Sequence, residues 1–505
     1  MFTKVLVANR GEIALRVIRA CRELGIASVA VYSEADVHAP HVREADEAIL
    51  LGPAPSSESY LKGDAIIAAA LRTGAQAIHP GYGFLSEREW FARAVREAGL
   101  VWIGPPAEAI AAMGSKTAAR TLAIAAGTPV VPGTTTALRD ADEARRVADG
   151  MGYPVLLKAA AGGGGKGMRV VHHADEIAGA LASAQREAQN AFGDDAVYVE
   201  KYIVGPRHVE IQVLGDQHGT MLHLGERECS VQRRHQKMIE EAPSIAVTPE
   251  LRARMGAAAV AAATAAGYVN AGTCEFLLDA NGDFYFLEMN TRIQVEHSVT
   301  ELVTGIDLVQ WQIRIAAGER IPFTQESLGP RGWAIECRIT SEDPSNGFLP
   351  STGRVQYLHV PSGPGVRWDS GIETGSSISL YYDPMLAKLI VWAPTRDAAI
   401  ERMHRALLEL TIEGVDTSRD FHLRVMEDAE FRAGAIEIQW LERRMESLTR
   451  VRPPAGGARL AAIAAALLAE RDRSAPRQSA PAPPGPAATA RESEWLRVAR
   501  REALR

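Results

Sequence analysis

The sequence predicts an N-terminal α/β domain with a parallel sheet, followed by two units of mixed α+β structure. In about the first hundred residues, short apolar runs at 4–8, 27–32 and 75–79 alternate with helical stretches such as 12–24, a pattern typical of βαβ units. After Met113 the pattern changes to alanine-rich helices and longer strands. At roughly 150 residues per domain, a chain of 505 residues has room for about three domains.

Changes of pattern along the chain set the expected boundaries. We expect domains at residues 1–112, 113–330 and 331–446. The remainder, 447–505, is rich in Ala, Pro and Arg, and its stretch 474–490 is typical of a proline-stiffened linker. Because only a short basic segment follows this linker, we expect that a further segment normally continues the chain.

Composition excludes several classes of function. With 55 basic and 62 acidic residues and a net charge of -7, nothing favours nucleic acid or an anionic membrane as a partner. The longest uncharged apolar run, 460–469, is too short for the ~20 residues of a membrane span, and the N-terminus lacks a secretory signal. The four cysteines lie far apart and indicate reduced thiols rather than disulfides or zinc. We therefore expect a cytoplasmic protein.

A glycine run between two lysines predicts a loop that covers phosphates. Residues 161–167 read Ala-Gly-Gly-Gly-Gly-Lys-Gly and follow a predicted strand that ends in Lys158. Consecutive glycines let backbone amides wrap phosphate oxygens, and Lys158 and Lys166 can each bring a point charge to them. Gly167 stands where a Walker A loop has Ser or Thr, which disfavours a P-loop. An ordinary flexible loop is the preferred interpretation of the glycine run by itself.

Two apolar strands flank Asn281-Gly282, the pattern of a β-hairpin with a two-residue turn. Such a turn places Glu275 opposite Glu288, with Cβ atoms about 4.5 to 5.5 Å apart. Asn290 shares the face of Glu288, and two carboxylates with an amide oxygen suit Mg²⁺ or Mn²⁺. A structural arginine between the carboxylates, or a charged outer face of the hairpin, are the alternatives.

The polar positions of the second strand continue in steps of two through Arg292, Gln294 and Glu296. Wherever this segment stays extended, a cation, an amide and a carboxylate line one surface. Such a surface could hold a small oxyanion and deprotonate a group beside it. A solvated strand face is the alternative, although the apolar Ile293 and Val295 indicate that the opposite face is buried.

Further polar segments are less specific. Residues 199–203 alternate apolar and charged side chains. In a nucleotide pocket, the backbone of this segment would contact the edge of the adenine ring, and Ile203 would contact the face of the ring. An edge strand with a solvated ion pair is the preferred interpretation of that segment alone. The cationic groups of 233–237 and 336–339 would, by themselves, usually be surface charge.

Taken together, these motifs closely resemble biotin carboxylase, the ATP-grasp component of biotin-dependent carboxylases. The resemblance runs over about residues 1–446 and is highly specific. The stretches that carry it are 8–14, 79–87, the glycine run, 232–237 and 288–297.

The resemblance implies a fold for each expected domain. Residues 1–112 are expected to form a Rossmann-like domain, 113–330 an ATP-grasp domain with a mobile glycine-rich lid at about 131–203, and 331–446 a C-terminal mixed α/β domain. Ser298 departs from the proline that is usual in the family. We expect this departure to loosen the segment after the site without removing a catalytic group.

The resemblance also implies a reaction, in which ATP and bicarbonate form carboxyphosphate, which carboxylates N1′ of biotin on a carrier protein. The positions that match the family's ATP-binding residues are Lys116, Lys158, Gly163, Gly164, Gly165, Lys166, Gly167, Glu200, Lys201, Ile203, His208, Gln232 and His235. The metal ligands, for Mg²⁺ or Mn²⁺, are Glu275, Glu288 and Asn290. Bicarbonate is held by Lys237, Arg292, Gln294 and Val295. Glu296 is the general base, Arg338 stabilises the biotin enolate, and Tyr82 and Gly83 border the biotin.

Partners follow from the same resemblance. No lysine follows Lys388, so we expect the biotin to come from a separate carrier, with a carboxyltransferase subunit completing an acyl-CoA carboxylase. A homo-oligomer is possible on this view. One alternative is another ATP-grasp ligase, of carbamoyl-phosphate type, which would lack the 292–296 series with Arg338. A non-catalytic nucleotide sensor is another, and would be expected to lack Glu288 or Glu296.

Overall fold

In the computed structural model, which describes residues 1–134, 136–159, 168–450 and 457–474, strands and helices alternate through the N-terminal region as the sequence predicts. Its elements are β1 (Lys4–Val7), α1 (Gly11–Glu23), β2 (Ala27–Ser33), α2 (Pro40–Glu44), β3 (Glu47–Gly52), α3 (Gly63–Thr73), β4 (Ala77–His79), α4 (Glu89–Glu97), β5 (Val101–Trp102) and α5 (Ala107–Gly114). The strands form a parallel sheet in the order β3-β2-β1-β4-β5. Because β1 and β4 are parallel neighbours, the loops that follow them meet at one edge of the sheet.

A small antiparallel sheet follows. The elements of this region are α6 (Lys116–Ala125), α7 (Ala141–Met151), β6 (Val155–Ala159), β7 (Met168–Val171), α8 (Ile177–Phe192) and β8 (Val197–Lys201). The strands pair in the order β7-β6-β8. Side-chain caps begin two of the helices, since Ser115 accepts a hydrogen bond from the N–H of Ala118 in α6 and Asp140 accepts one from Glu143 in α7.

One eight-stranded sheet forms the centre of the remaining chain. The first elements of this part of the chain are β9 (Arg207–Gly215), β10 (Met221–Arg233), β11 (Gln236–Ala242), α9 (Pro249–Ala265), β12 (Asn270–Leu278), β13 (Phe284–Asn290), α10 (His297–Thr304) and α11 (Leu308–Ala316). The rest are β14 (Trp333–Thr340), β15 (Glu342–Asp343), β16 (Leu349–Pro350), β17 (Gly353–Arg354), β18 (Tyr357–His359), β19 (Val366–Ser370), β20 (Ser377–Ile378), β21 (Met385–Ala393), α12 (Arg396–Glu409), β22 (Thr411–Glu413), α13 (Arg419–Glu427), α14 (Ala429–Arg432) and α15 (Trp440–Thr449).

The sheet order is β13-β12-β9-β10-β11-β14-β21-β19, with antiparallel pairs throughout. The pairing of β11 with β14 carries the sheet across residue 330, where we expected a boundary between domains. The second and third regions therefore share one sheet. The α/β and α+β fold class predicted from the sequence is confirmed.

The hairpin of β12 and β13 pairs Glu275 with Glu288, as predicted, but its turn is not the predicted one. The N–H of Asp279 donates to the carbonyl of Asp283 at 2.9 Å, so residues 280–282 form a three-residue turn. The prediction of a two-residue turn is wrong. The register shifts by one residue directly after Glu275, and this bulge restores the predicted pair. The Asp279 carboxylate, which accepts hydrogen bonds from two backbone N–H groups of the turn, favours the longer turn.

The segment after residue 450 forms a separate unit. Within it, helix α16 (Gly457–Ser474) is described, and the side chains described along it are exposed. The helix lies inside residues 447–505, which we expected to form a linker and tail. Among the described helices, none is both long and apolar enough to cross a membrane.

Substitutions in the turn should separate the observed geometry from the predicted one. Gly282 has φ +84, and no atom lies within 4 Å of the position that a Cβ would take, so Gly282→Ala should cost about 1 to 2 kcal/mol through its backbone alone. Asn281 does not have a positive φ, so Asn281→Ala should cost clearly less stability than Gly282→Ala. The measurement is the midpoint of urea unfolding, with Gly329→Ala, which lies in open space without a positive φ, as control. Equal losses at 281 and 282 would instead favour the two-residue turn, which needs positive φ at both positions.

Candidate active site

A cavity of about 480 Å³ lies between the small sheet and the eight-stranded sheet. Its size falls within the ~300 to 1,000 Å³ typical of small-molecule sites. The residues predicted to bind ATP that line it are Lys158, Glu200, Lys201, Ile203, His208, Gln232 and His235. Glu275 and Glu288 also line it, so the predicted nucleotide and metal residues lie on one cavity.

The glycine run is not placed by the structure. The predicted residues that lie outside the described part of the chain are Gly163, Gly164, Gly165, Lys166 and Gly167. Lys116 begins α6, but its side chain also lies outside the described part. Their contacts with ATP stay predictions.

Glu200 on β8 holds two cations at the wall of the cavity that the small sheet forms. Lys158 donates to its carboxylate at 2.9 Å and Arg120 at 3.3 Å. Burial by itself would lower the pKa of Lys158, but the negative charge of Glu200 is the largest of the effects that raise this pKa above its ordinary value. The ammonium of Lys201, by contrast, donates to the carbonyl of Gly152 at 2.9 Å. Arg120 was not predicted, because it precedes the glycine run in a helix without a recognisable motif.

The centre of the site is the ammonium of Lys237 on β11. It donates to Glu210 at 2.5 Å, to Glu296 at 2.7 Å and to Glu275 at 2.8 Å. Burial by itself would lower the pKa of Lys237, but the three carboxylates raise it well above its ordinary value. Burial by itself would raise the pKa values of Glu275 and Glu296. Neighbouring positive charges, of which Lys237 has the largest effect, instead hold both pKa values well below the ordinary range. Lys237, Glu275 and Glu296 are therefore ionised near neutral pH.

Arg227 on β10 supports this cluster from behind. Its side chain is fully buried and donates to Glu210 at 2.5 Å and to Gln294 at 2.9 Å. It also donates to Gln212 and Thr273. The donors of one planar group thus fix side chains from three segments that are distant in sequence.

Two of the predicted metal ligands, Glu275 and Glu288, present carboxylate oxygens to the cavity. Glu275 and Glu288 are directly opposed, and the amide of Asn290 donates to Oε1 of Glu275 at 2.9 Å. Nε2 of His208 lies 3.0 Å from Oε2 of Glu275. Paired carboxylates with a nearby amide fit Mg²⁺ or Mn²⁺, which prefer oxygen ligands.

The series after β13 converges on the cluster, although the strand ends at Asn290. Arg292 donates to Oδ1 of Asn290 at 3.0 Å and to Glu87 at 2.9 Å. Gln294 donates to Glu275 at 2.9 Å. The chain is not an extended strand here, so bends rather than strand parity bring these side chains, with Glu296, to one place.

Arg338 on β14 joins Glu296 to a second buried acid. Its guanidinium donates to Glu296 at 2.8 Å and to Glu240 at 2.6 Å. Three acids around Arg338 raise its pKa above the ordinary value against the effect of burial, the largest being Glu240. Glu296 therefore accepts hydrogen bonds from two of the predicted catalytic cations, Lys237 and Arg338.

The predicted biotin-side residues lie on the loop after β4. Asn9, after β1, donates to the carbonyls of Pro80 and Tyr82, each at 2.7 Å, and so fixes this loop. The hydroxyl of Tyr82 donates to the carboxylate of Glu12. Burial raises the pKa of Tyr82 well above its ordinary value, which keeps the donor protonated. Gly83 is exposed and has φ +68.

Lys388 on β21 fixes the segment that leads into α10. It is fully buried and donates to the carbonyl of Val295 at 2.6 Å and to Oγ of Ser298 at 2.9 Å. The expected loosening at Ser298 is therefore not found, because the hydroxyl ties the start of α10 to the sheet.

Several residues of the site were missed from the sequence. Glu210 had a usable signal, since His208, Glu210 and Gln212 alternate along β9 like the series that was recognised. Lys388 is one of eight lysines and stands in an apolar strand. The contacts of Arg227 and Glu87 join segments distant in sequence, and no local pattern marks them.

Comparison with known proteins gives matches over most of the chain. Residues 1–110 match the family model described as "Biotin carboxylase, N-terminal domain". Residues 115–324 match "Carbamoyl-phosphate synthase L chain, ATP binding domain", and 336–443 match "Biotin carboxylase C-terminal domain".

Curated relatives and solved structures are similar over the same region. The biotin carboxylase of Haemophilus influenzae is 52% identical over 446 residues, which cover 88% of this chain and 99% of the relative. Biotin carboxylase 1 of Bacillus subtilis is 52% identical over 443 residues, 88% of this chain and 98% of the relative. The biotin carboxylase domain dimer of Hydrogenobacter thermophilus 2-oxoglutarate carboxylase was solved with MgADP, ADP and bicarbonate. It has a TM-score of 0.83 and 50% identity over 90% of this chain and 100% of that chain.

Removing Arg227 should destabilise the protein strongly. Arg227→Met leaves Glu210 without one of its two cations and removes a donor from Gln294, and breaking a buried pair costs about 3 to 5 kcal/mol. Urea unfolding followed by tryptophan fluorescence measures the loss. The control is Arg22→Met, which breaks an exposed pair with Glu44 and should cost no more than about 1 kcal/mol. Similar losses in the two variants would show that Arg227 does not organise the cluster.

Proposed function

The chain belongs to the biotin carboxylase family, and we propose that the cluster around Lys237 performs the family's reaction, the ATP- and bicarbonate-dependent carboxylation of biotin. The observation that carries this assignment is the position of Glu296, which contacts Lys237 at 2.7 Å and Arg338 at 2.8 Å. One carboxylate thus adjoins both the cation assigned to bicarbonate and the cation assigned to biotin. Both flanking family models describe biotin carboxylase, so the carbamoyl-phosphate alternative is not favoured.

In the first step, Lys237, Arg292, Gln294 and the backbone of Val295 hold bicarbonate beside Glu296. Glu296 accepts the proton of bicarbonate, an oxygen of the resulting carbonate attacks the γ-phosphorus of ATP, and the bond to ADP breaks. The low pKa of Glu296 keeps it in the unprotonated form that a base requires, although it also weakens that base. The two anions repel, by about 4 kcal/mol for unit charges 4 Å apart at an effective dielectric near 20. Lys237 and Arg292 offset this repulsion.

The nucleotide occupies the cavity between the two sheets. Lys158, His208, Gln232 and His235 are the polar side chains that would contact it there. Glu275, Glu288 and Asn290 would hold Mg²⁺, which when bound neutralises phosphate charge. Glu275 also binds Lys237, so the residues for metal and bicarbonate form one connected set.

In the second step, carboxyphosphate delivers its carboxyl group to N1′ of biotin. N1′ loses its proton to the departing phosphate, and the negative charge is shared with the ureido oxygen. The bond from the carboxyl carbon to the phosphate oxygen breaks, and N1′ forms the new bond to that carbon. Arg338 stabilises this enolate, because a guanidinium stays protonated at any working pH. Tyr82 and Gly83, on the loop that Asn9 fixes, border the ring.

The carrier and the acceptor of the carboxyl group belong to partner proteins in this proposal. Two similar proteins are named as parts of larger enzymes, one of a pyruvate carboxylase and one, a small subunit, of a 2-oxoglutarate carboxylase. We infer that this chain works with a biotin carrier and a carboxyltransferase. The solved dimer of a similar domain supports a homodimer.

The reaction can be tested by its dependence on both small substrates. ADP release should require bicarbonate and rise with free biotin. Arg338→Gln should abolish most biotin carboxylation and spare much of the bicarbonate-dependent ATPase, because Arg338 acts on the enolate. Arg314→Gln, outside the site, serves as control and should change neither activity. An ATPase indifferent to both substrates would defeat the proposal, and equal loss of both activities in Arg338→Gln would defeat the role of Arg338.

The metal ligands can be tested by titration. Glu288→Gln should raise the Mg²⁺ concentration for half-maximal ATPase by more than about tenfold. Loss of a residue that only orients a metal ligand costs ~10- to 100-fold in metal affinity, and loss of a direct ligand should cost at least the lower of these values. Adenine nucleotide binding without metal should change little. Asp283→Asn, at the turn of the same hairpin, is the matched control. An unchanged titration in Glu288→Gln would remove the metal assignment.

A further inference from the structure

Two buried carboxyl groups beside Arg338 have oxygens without a hydrogen-bond partner among the described residues. Glu336 is fully buried, and neither of its carboxyl oxygens is bonded. Glu240 is also fully buried; it accepts from Arg338 through Oε1 at 2.6 Å, while its Oε2 is unbonded. A carboxylate buried without donors is costly. Two such groups side by side need an explanation.

The two residues face each other directly. Glu240 on β11 pairs with Glu336 on β14 in antiparallel register, which places their Cβ atoms about 4.5 to 5.5 Å apart on one face of the sheet. Both side chains are long enough for their carboxyl groups to meet. One proton placed between them would satisfy Oε2 of Glu240 and give Glu336 a partner.

The charges facing Glu336 do not provide another partner. Lys388, from β21, donates its hydrogen bonds to Val295 and Ser298. Arg338, on β14 itself, donates to Glu240 and Glu296.

Helix α10 packs on the same face of the sheet through Val299 and Val303. Its acid Glu301 pairs with Arg16 and Arg367, and its His297 has Nδ1 directed to a backbone carbonyl. From the N-terminal domain, Tyr82 donates to Glu12. Nε2 of His297, 3.9 Å from Glu301, and Oε2 of Glu12 have no hydrogen-bond partner of their own among the described residues. None of these groups donates a hydrogen bond to Glu336, and Glu240 is the titratable group directly opposite it in the sheet.

We propose that Glu240 and Glu336 share one proton, carried by Glu336 and donated to Oε2 of Glu240, and that this pair positions Arg338 for the biotin step. The proposal rests on the proposed role of Arg338. Burial raises the pKa of Glu240 to about 7 and that of Glu336 well above its ordinary value, so the pair keeps a proton at neutral pH. Because the two sites interact, they titrate as a pair.

The shared proton determines where the guanidinium of Arg338 points. Glu336 and Arg338 lie two residues apart on β14 and thus on one face. An ionised Glu336 would attract the guanidinium away from Glu296. A neutral Glu336 leaves Arg338 between Glu240 and Glu296, where the enolate is expected. Glu336 is a positioning residue, since it acts through Arg338.

Infrared difference spectroscopy of the full chain tests the proton directly. The wild type should show the C=O band of a protonated carboxyl at neutral pH that disappears as the pH rises. Glu336→Gln should lose that band, because Glu336 carries the proton, whereas Glu240→Gln should shift the frequency of the band, because the protonated carboxyl group loses its hydrogen-bond acceptor. Glu12 and Glu228, whose pKa values burial also raises, remain in both variants and cancel in the difference spectrum. Glu241→Gln is the matched control, since Glu241 is a buried neighbour paired with Arg396, and it should keep the band.

Activity provides the second measurement. As the pH rises above neutrality and the pair ionises, the ratio of biotin carboxylation to bicarbonate-dependent ATPase should fall in the wild type. Glu336→Gln cannot ionise and should lose this fall, whereas Glu241→Gln should keep it. A band that survives in Glu336→Gln, a band that is unshifted in Glu240→Gln, or an alkaline fall in Glu336→Gln equal to that of the wild type overturns the proposal. If the wild type carboxylates no biotin, the proposed function fails, and the infrared band alone decides whether the pair holds a proton.

Discussion

The site depends on the ion pairs of one buried ammonium, that of Lys237. Its three carboxylate partners come from β9, from β12 and from the residue that precedes α10. Without the ammonium, three buried anions would lie within a few ångströms of one another, and a buried charge that loses its partner destabilises a protein strongly. The residue assigned to bicarbonate therefore also holds the sheet and the start of α10 together. Fold and chemistry cannot be separated at this position.

Charges of both signs are arranged in rows across the eight-stranded sheet. Glu288, Glu275, Glu210 and Arg227 are opposed in turn on four neighbouring strands. A second row runs from Arg338 through Lys388 to Asp369. Lys237 contacts two members of the first row, and Glu296 joins it to Arg338 in the second. Neighbours within a row mostly have the same sign, which by itself is destabilising. Burial is tolerated because Arg227 and Lys237 bring opposite charge within hydrogen-bond distance of Glu210 and Glu275.

Features formed by residues close in sequence could be predicted, whereas contacts between distant segments could not. The pairing of Glu275 with Glu288 was predicted from the apolar pattern on both sides of Asn281-Gly282, and the structure has that pair. The prediction of the turn was wrong, because the Asp279 carboxylate stabilises a longer turn and a bulge compensates for it. The role of Arg227 depends on β9 lying between β10 and β12. No local pattern contains that order, so the sequence predicted Lys237, Glu275 and Glu296 but neither Glu210 and Arg227 nor the arrangement of the cluster.

The contacts of Lys388 connect the two substrate sides of the site. Its ammonium donates to the carbonyl of Val295, assigned to bicarbonate, and lies 3.7 Å from Glu12. Glu12 in turn accepts from Tyr82, assigned to biotin. Because Lys388 is fully buried, these contacts are shielded from salt and water. The N-terminal domain is thus fixed to the central sheet beside residues assigned to both substrates. A displacement of the loop that carries Tyr82 would disturb the same lysine that holds Val295, so the residues assigned to bicarbonate and to biotin belong to one network of contacts.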